Sequence, residues 1–320
     1  MPHVRQNVVA ILCSDFHLSL NPPIWRSAEP NWFAAMNRPL NEIKLLQEEC
    51  DCPVINAGDI FDRWDSTPEL INFAIDSLPN ELFAIPGQHD LPLHNYDDMK
   101  KSAYWTLVQA NKIGDISNAC RYNYRGHRKC RANFHALAMY GFPFGYPITP
   151  LDEEEKNNKA DKIHIAVVHE YRCVKGKSFK QAPDKAYLRM NEKNLIGYDV
   201  IVYGDNHKGF LTKINNGTTV FNCGTLMRRK TDEMDYKPQI GLLYSDGSVE
   251  PYYLNTTNDK HLESISDVEA FIENDMKSFI KELKKLGNSE LNFKEAVHQY
   301  LKSNKVKKSI ATLLLKGMER

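Results

Sequence analysis

The fold of this chain is decided by residues 56–63, which read Asn56-Ala57-Gly58-Asp59-Ile60-Phe61-Asp62-Arg63. The preceding Pro53-Val54-Ile55 is a short apolar run rich in β-branched side chains, so we expect Asp59 to follow the carboxyl end of a strand. Gly58 allows the backbone to turn sharply at this point. In open α/β sheets, the ligand crevice lies outside the carboxyl ends of the strands. The segment therefore predicts a polar site at such an edge.

The elements around this segment alternate between strand and helix. Residues 8–13 and 82–85 are continuous apolar runs typical of buried strands, whereas residues 39–50 and 68–78 have the apolar spacing of helices. A β-α-β-α-β order predicts parallel strands joined by helical crossovers.

After residue 110 short β-like runs dominate, and Asn215-Asn216-Gly217 between two of them indicates a hairpin. We expect these runs to form a second, mixed or antiparallel sheet packed on the first. Residues 260–320 change again to helical spacing, opened by a capping box of Ser266 and Glu269. The chain is therefore predicted to be α/β, with a two-sheet domain over residues 1–255 and a small helical region over residues 256–320.

Composition and charge exclude some classes of protein. The formal net charge is zero, which argues against a generally basic nucleic-acid coat protein but leaves room for a local basic groove. There is no secretory signal and no apolar run long enough to span a bilayer, so we expect a cytoplasmic protein without a membrane segment. The seven cysteines form no CxxC pair and are expected to be reduced thiols.

Five strand-like runs end in residues that can bind metal ions. They contribute Asp15 and His17, then Asp59, then Gln88 and His89, then His169, and finally Asp205 and His207. Carboxylates, imidazoles and an amide oxygen at one sheet edge suit a pair of divalent cations, which can hold a nucleophile and clamp phosphate oxygens. Each motif alone is more often a turn or a core histidine. Five such endings in this order favour a metal site over a purely structural interpretation.

The series Asp15-Phe16-His17, Gly58 to Arg63, Gly87-Gln88-His89-Asp90, His169 and Gly204-Asp205-Asn206-His207 resembles the calcineurin-like metallophosphoesterases. That resemblance implies the two-sheet metallophosphoesterase sandwich flanked by helices. Within the superfamily the chain looks like the SbcD-type DNA repair exonucleases, including phage-encoded relatives. The narrower resemblance depends on the HD ending of the third motif, on residues 222–229 followed by Asp232-Glu233, and on a small C-terminal domain.

The resemblance implies a role for each matching residue. Asp15, His17 and His207 would bind one metal, Asp59 would bridge both, and Gln88 and His169 would bind the second. His89 would be the general acid, with Asp90 orienting its ring. Asp62 and Arg63 would support the ligands or face the phosphate.

Two positions depart from the family pattern, which usually has Asn at position 88 and His at position 205. Gln88 keeps the amide oxygen but places it one methylene further out. We expect Asp205 to be a ligand that favours Mn²⁺, or alternatively Mg²⁺, over Zn²⁺. The other interpretation is that Asp205 points away and the second metal site is weak.

Basic residues next to aromatic ones indicate contacts with DNA. Tyr122 and Tyr124 lie among basic residues within residues 118–132, and two further arginines follow the last histidine motif. The candidate DNA-binding residues are Arg121, Arg125, Arg128, Lys129, Arg131, Arg228 and Arg229. A solvated basic hairpin is an equally good interpretation of residues 118–132. By resemblance, residues 96–108 would help form a homodimer, although a plain core helix fits them nearly as well. The C-terminal helices would cap the DNA-binding face or engage an SbcC-type, SMC-like ATPase.

The sequence thus predicts a metal-dependent DNA exonuclease or endonuclease that works with an ATPase in recombination, repair or phage DNA processing. A phosphatase or small-molecule phosphodiesterase on the same scaffold is the first alternative. A non-catalytic scaffold subunit that has lost one metal is the second.

Overall fold

The computed structural model describes residues 8–117, 122–124, 136–152, 162–179 and 182–262. The chain divides into two compact units, of which the first comprises residues 1–22 and 29–259 and the second residues 23–28 and 260–320. In the second unit, the backbone N–H of Leu262 donates to the carbonyl oxygen of Trp25. The predicted helices beyond residue 262 lie outside the described residues, and the predicted boundary at residue 255 stays a prediction.

Twelve strands are present in the described part of the chain. In chain order they are β1 (Val8–Cys13), β2 (Val54–Asn56), β3 (Leu82–Ala84), β4 (Ile113–Asp115), β5 (Tyr122–Tyr124), β6 (Ala136–Phe142), β7 (Lys162–His169), β8 (Val200–Gly204), β9 (Phe210–Lys213), β10 (Thr219–Asn222), β11 (Gln239–Tyr244) and β12 (Val249–Tyr253). They form two six-stranded sheets, with the orders β12-β11-β1-β2-β3-β4 and β5-β6-β7-β8-β10-β9.

Both sheets are mixed, with a parallel centre. Strands β1 to β4 are parallel neighbours, as the strand-helix alternation predicts, and β11 joins β1 in antiparallel orientation. In the second sheet β6, β7, β8 and β10 run parallel, while β5 and β9 pair antiparallel at the edges. The predicted α/β architecture with a second, mixed sheet is therefore confirmed, but β4, β11 and β12 join the first sheet, although the strands after residue 110 were expected in the second.

The side chains of β7 explain how the second sheet is covered on both faces. Ile163, Ile165 and Val167 belong to the same hydrophobic cluster as the first sheet. Ala166 and Val168 point the other way into a separate cluster. Successive strand residues face opposite sides of a sheet, so a continuous apolar run is what a strand buried on both faces requires.

Three α-helices lie among the described residues: α1 (Trp32–Cys50), α2 (Pro68–Ser77) and α3 (Ala103–Gln109). Helix α1 begins seven residues before the predicted start at residue 39, because Asn31 caps it by accepting from the backbone N–H of Ala34 and because Pro39 lies inside it. The predicted helix over residues 96–108 is a 3₁₀ segment, Tyr96–Lys101, followed by α3. In α3 Tyr104 and Leu107 are fully buried in the core.

Within the described ranges, no helix combines the length and the apolar character needed to cross a membrane. The cysteines in these ranges, Cys13, Cys50, Cys52, Cys173 and Cys223, lie in buried positions.

Candidate metal centre

The loops that follow β1 and β2 are joined by backbone hydrogen bonds just beyond the strands. The N–H of Asp15 donates to the carbonyl oxygen of Gly58 at 2.9 Å, and the N–H of His17 donates to that of Asp59 at 2.9 Å. Parallel strands end at one edge of their sheet, so the loop after β3 lies beside the loops after β1 and β2. The loops after β7 and β8 of the second sheet meet them there, because His169 lies with Asp15 and Asp59 and the N–H of Asp205 donates to Asp15.

Four of the predicted ligands have left-handed backbone conformations. The φ angles are 52° for Asp15, 47° for His17, 56° for Asp59 and 75° for Asp205. A residue other than glycine costs on the order of 1–3 kcal/mol in such a conformation, and residues of this kind concentrate at functional sites. The strain at this edge indicates that the positions of these side chains matter more than local backbone stability.

One cluster of ligand atoms comprises Asp15, His17 and His207, whose donor atoms lie within 4.8 Å of one another. The Nε2 atoms of His17 and His207 face each other at 3.1 Å, and Nε2 of His17 lies 3.8 Å from Oδ1 of Asp15. These are the three residues predicted to bind the first metal.

Asp59 lies between this cluster and a second one. Asp15, Asp59 and His169 form the second cluster, and His17, Asp59 and His89 a third. Oδ2 of Asp59 is 3.5 Å from Nε2 of His169 and 3.8 Å from Nε2 of His17. A carboxylate oxygen in this position fits the predicted role of Asp59 as a bridge.

Three histidines direct Nε2 towards the clusters because groups behind them contact Nδ1. The Nδ1 of His169 lies 2.6 Å from the carbonyl oxygen of Ala57, and that of His207 lies 3.0 Å from Oε1 of Glu233. The Nδ1 of His17 is 3.4 Å from Oδ1 of Asp62. The hydrogen bonds at His169 and His207 fix the tautomer and the orientation of a metal-binding imidazole, whereas Nδ1 of His17 makes a longer contact that is not a hydrogen bond.

Sequence reasoning gave Glu233 only a place in a motif and missed its contact with His207. It also missed Ala57, because a backbone carbonyl has no signature in the sequence. The signal that could have found Glu233 is its position among the residues that follow the last histidine motif.

Glycines surround the ring of His169. A Cβ atom added at Gly58 would lie 2.3 Å from Nδ1 of His169, and one at Gly204 would lie 2.7 Å from it. A Cβ at Gly87 would meet Oδ1 of Asp59 at 2.1 Å. The glycines of three different motifs are therefore required for space, because the imidazole and the carboxylate occupy the volume of their missing side chains.

Electrostatics in this site depend on burial and on the close carboxylates. Burial alone would lower the pKa of His169, but the facing carboxylate of Asp59 raises it to about 10. Burial raises the pKa of Asp15 to about 6. Burial lowers the pKa of His17 to about 3, and the charge of Arg229 adds to this effect. The carboxylate of Asp59 thus stabilises positive charge at His169, whereas burial disfavours the charged forms of Asp15 and His17.

Two buried atoms of the clusters indicate that these residues fit divalent cations. Oδ2 of Asp59 and Nε2 of His169 are buried, and neither has a hydrogen-bond partner. Buried polar atoms normally have partners, so these two atoms call for one. A mixed set of carboxylate oxygens and imidazole nitrogens suits transition-metal cations, and the residues present therefore fit a bound metal.

Gln88 and Asp205 contact each other at the side of the clusters. Nε2 of Gln88 donates to Oδ1 of Asp205 at 2.7 Å. The backbone N–H of Asp205 donates to the carboxylate of Asp15, at 3.1 Å from Oδ1. The three-residue clusters of the described ranges do not contain Asp205, and its carboxylate contacts the amide of Gln88. Metal binding by Gln88 and Asp205 therefore stays a prediction.

The predicted role of Asp90 is wrong. Its fully buried carboxylate accepts hydrogen bonds from the backbone N–H groups of Ile60, Phe61 and Gly87. Nδ1 of His89 instead lies 2.9 Å from the carbonyl oxygen of Asp62. Asp90 was expected to orient the imidazole because it is the next residue, but the backbone turns between them. It joins the loop after β2 to the loop after β3.

The remaining predicted residues make different contacts. Nη1 of Arg229 binds Oδ1 of Asp62 at 2.8 Å, so this pair supports His17 from behind. Arg63 pairs with Asp65 on the surface, and Arg228 donates to the carbonyl oxygen of Met234. The side chains of the predicted basic set at Arg121, Arg125, Arg128, Lys129 and Arg131 lie outside the described residues.

One family of known proteins matches this chain over more than half of its length. A 5'-nucleotidase from Candida albicans is 14% identical, with a TM-score of 0.46, and the match covers 85% of this chain and 58% of that protein. The chain thus spans less than two thirds of the nucleotidase. No curated protein matches the chain. Residues 9–209, which contain all five motifs, match the model of the calcineurin-like phosphoesterases, and the chain belongs to this family.

Proposed function

We propose that this chain is a metal-dependent phosphodiesterase that cuts DNA, the nuclease subunit of an SbcD-type pair that works with an SbcC-type ATPase. Two divalent ions, most simply Mn²⁺ with Mg²⁺ as the alternative, would be held by the clusters around Asp59. The proposal includes a homodimer, for which residues 96–108 are the candidate contact.

The observation that carries the proposal is the pair of lysines on the cleft beside the metal centre. Lys208 and Lys230 line the same solvent-open cleft as His89, Asp205 and His207. A phosphodiester chain carries one negative charge per nucleotide, so cations at the rim favour a polyanionic substrate. A second cleft is lined by Asp62 and Arg63, and we infer that the nucleic-acid chain continues into it.

The chemistry divides between the metals and the protein. When bound, the divalent ions supply the positive charge that polarises a phosphate and acidifies the attacking water. Asp59, with His17, His169 and His207, would hold these ions in place. With its Nδ1 proton donated to the carbonyl oxygen of Asp62, His89 keeps Nε2 as the atom that protonates the leaving oxygen.

A phosphatase or nucleotidase remains the second candidate for one reason. The cleft next to His89 has a volume of about 320 Å³, which is sufficient for a single nucleotide. Lysines at the rim would also attract a phosphomonoester. The difference between the two functions therefore lies in whether a diester or a monoester is cut.

The test is the digestion of an end-labelled linear duplex and of the matching single strand in Mn²⁺, with p-nitrophenyl phosphate as the monoester. Wild type should release nucleotides from DNA, and His89→Ala should not. Lys213→Ala is the control, because Lys213 is an exposed residue of β9 outside the clusters of the described residues. Hydrolysis of the monoester without cleavage of DNA would refute the nuclease assignment and favour the phosphatase.

A further inference from the structure

Residues 172–179, here called the aromatic segment, begin three residues beyond His169, the last residue of β7, and carry an exposed phenylalanine. Phe179 is 46% exposed, although most large apolar side chains of the first unit are buried. Tyr171, which directly precedes the segment, lines the same cleft as Phe179, His89 and His207. An apolar ring held open to solvent beside a reactive centre indicates a contact with a ligand.

The loop that carries Asp205 and His207 also holds the aromatic segment. Asn206, which is only 2% exposed, stands between the predicted ligands Asp205 and His207. Its Nδ2 donates to the carbonyl oxygen of Arg172 at 2.8 Å and to that of Lys177 at 2.9 Å. Both hydrogens of one buried amide thus fix the two ends of the turn that precedes Phe179. The position of the ring is therefore set by the same loop that supplies His207.

Tyr171 supports Phe179 from one side. The ring centroids are 4.9 Å apart at an angle of 61°, an edge-on arrangement. The hydroxyl oxygen of Tyr171 accepts a hydrogen bond from the backbone N–H of Phe179 at 2.9 Å. These contacts orient Phe179 while nearly half of the residue stays exposed to the cleft.

The charges around the ring identify the ligand. Lys208 and Lys230 line the cleft with Phe179, and Lys175 and Lys177 are exposed on the aromatic segment. A flat apolar surface among cations suits a nucleotide, whose base stacks on the ring while its phosphates contact the lysines. A base inside a duplex already has both faces stacked, so only an unpaired base can use Phe179.

We propose that Phe179, supported by Tyr171, is a stacking site that holds an unpaired nucleobase next to the phosphate at the metal centre. The enzyme would then prefer single-stranded DNA or frayed ends over intact duplex. This inference rests on the proposed function and specifies its substrate.

The test compares Phe179→Ala and Phe179→Trp with wild type on two single strands, one normal and one of abasic nucleotides. Stacking on an aromatic side chain favours binding of a base by about tenfold or more, so Phe179→Ala should raise KM for the normal strand by about that factor. The abasic strand should be unaffected, and Phe179→Trp should behave like wild type. Tyr253→Ala is the control, because Tyr253 is 58% exposed and lies on β12.

Equal effects of Phe179→Ala on both strands, or no effect on either, would overturn the stacking site. If wild type cuts no DNA, the proposed function fails, and fluorescence of a strand containing 2-aminopurine then decides the inference separately. Quenching by wild type and Tyr253→Ala, but not by Phe179→Ala, supports the site. Equal fluorescence with all three proteins overturns it.

Discussion

Glu233 gives the sharpest test of how the metal centre is organised, because it contacts a metal-binding candidate without being one. Oε1 lies 3.0 Å from Nδ1 of His207, and Oε2 accepts from the backbone N–H groups of Arg229 and Lys230. The side chain is only 2% exposed. Glu233→Gln keeps the size of the side chain and removes its charge and one acceptor oxygen.

The expected loss follows from these contacts. A glutamine can accept with one oxygen only, so either His207 or the two backbone N–H groups must face an NH₂ group. Hydrogen bonds to a charged group contribute roughly 1.5–3 kcal/mol each, and we expect the free energy of unfolding to fall by about 2–3 kcal/mol. Loss of a partner behind a metal-binding histidine lowers metal affinity about 10- to 100-fold, and we expect this for Mn²⁺.

The assay is calorimetric titration of the metal-free protein with Mn²⁺, together with urea unfolding of the same samples. Glu250→Gln is the matched control, because Glu250 is exposed and accepts from the hydroxyl of Tyr244 at 3.1 Å, away from the clusters. Unchanged Mn²⁺ affinity in a folded Glu233→Gln protein would refute the reasoning that Glu233 orients His207. A loss of stability alone would leave Glu233 with a purely structural role.

Three further predictions concern the same edge. Gly204→Ala places a Cβ 2.3 Å from the carbonyl oxygen of Ala57, so His169 should be displaced and Mn²⁺ affinity, measured by calorimetry, should fall at least tenfold. Asp90→Asn leaves a backbone N–H facing an NH₂ group, and urea unfolding should show a loss of about 2–3 kcal/mol. Mn²⁺ at 100 times its Kd should stabilise the wild type by about 2.7 kcal/mol in thermal unfolding, and Asp59→Asn should abolish most of this gain.

Controls for these three changes lie elsewhere on the surface. Gly247→Ala adds a Cβ that meets nothing within 4 Å, so it should leave Mn²⁺ affinity intact. Asp97→Asn, at an exposed position, should change neither stability nor metal response. A Gly204→Ala protein with wild-type Mn²⁺ affinity, an Asp90→Asn protein of wild-type stability, or an Asp59→Asn protein that Mn²⁺ still stabilises would each contradict the geometry described here.

The strand ends could be predicted because two simple rules coincide. Apolar, β-branched runs indicate buried strands, and parallel strands end at a common edge, so polar residues after each run converge. Asp15, Asp59 and His169 come from three such runs and form one cluster. The pairing of β11 with β1 could not be predicted, because it brings together Leu12 and Gly241, which most of the chain separates.

The missed features depend on three-dimensional context. The apolar spacing of residues 39–50 predicts a helix over those residues alone. The helix extends back to Trp32 because Trp32, Ala35 and Met36 are buried on the same face as Leu40. Tertiary burial therefore outweighed the local signal.

The two departures from the family pattern are in contact with each other. Gln88 and Asp205 belong to motifs 117 residues apart, and Nε2 of Gln88 reaches Oδ1 of Asp205 at 2.7 Å. The extra methylene of Gln88 therefore allows its amide to reach the carboxylate of Asp205. An asparagine at this position would be about 1.5 Å shorter and would lose the contact.

The contact makes the two substitutions a coupled pair rather than two independent losses. Gln88→Asn alone leaves Asp205 without its donor, and Asp205→His alone crowds the longer amide, so each should weaken Mn²⁺ binding. The double change restores the family arrangement and should recover part of the affinity, with a coupling of about 0.5–3 kcal/mol in a double-mutant cycle. Calorimetry on the four proteins measures this term directly. Additive losses would mean that the 2.7 Å contact has no part in metal binding, and that Asp205 acts, if at all, without Gln88.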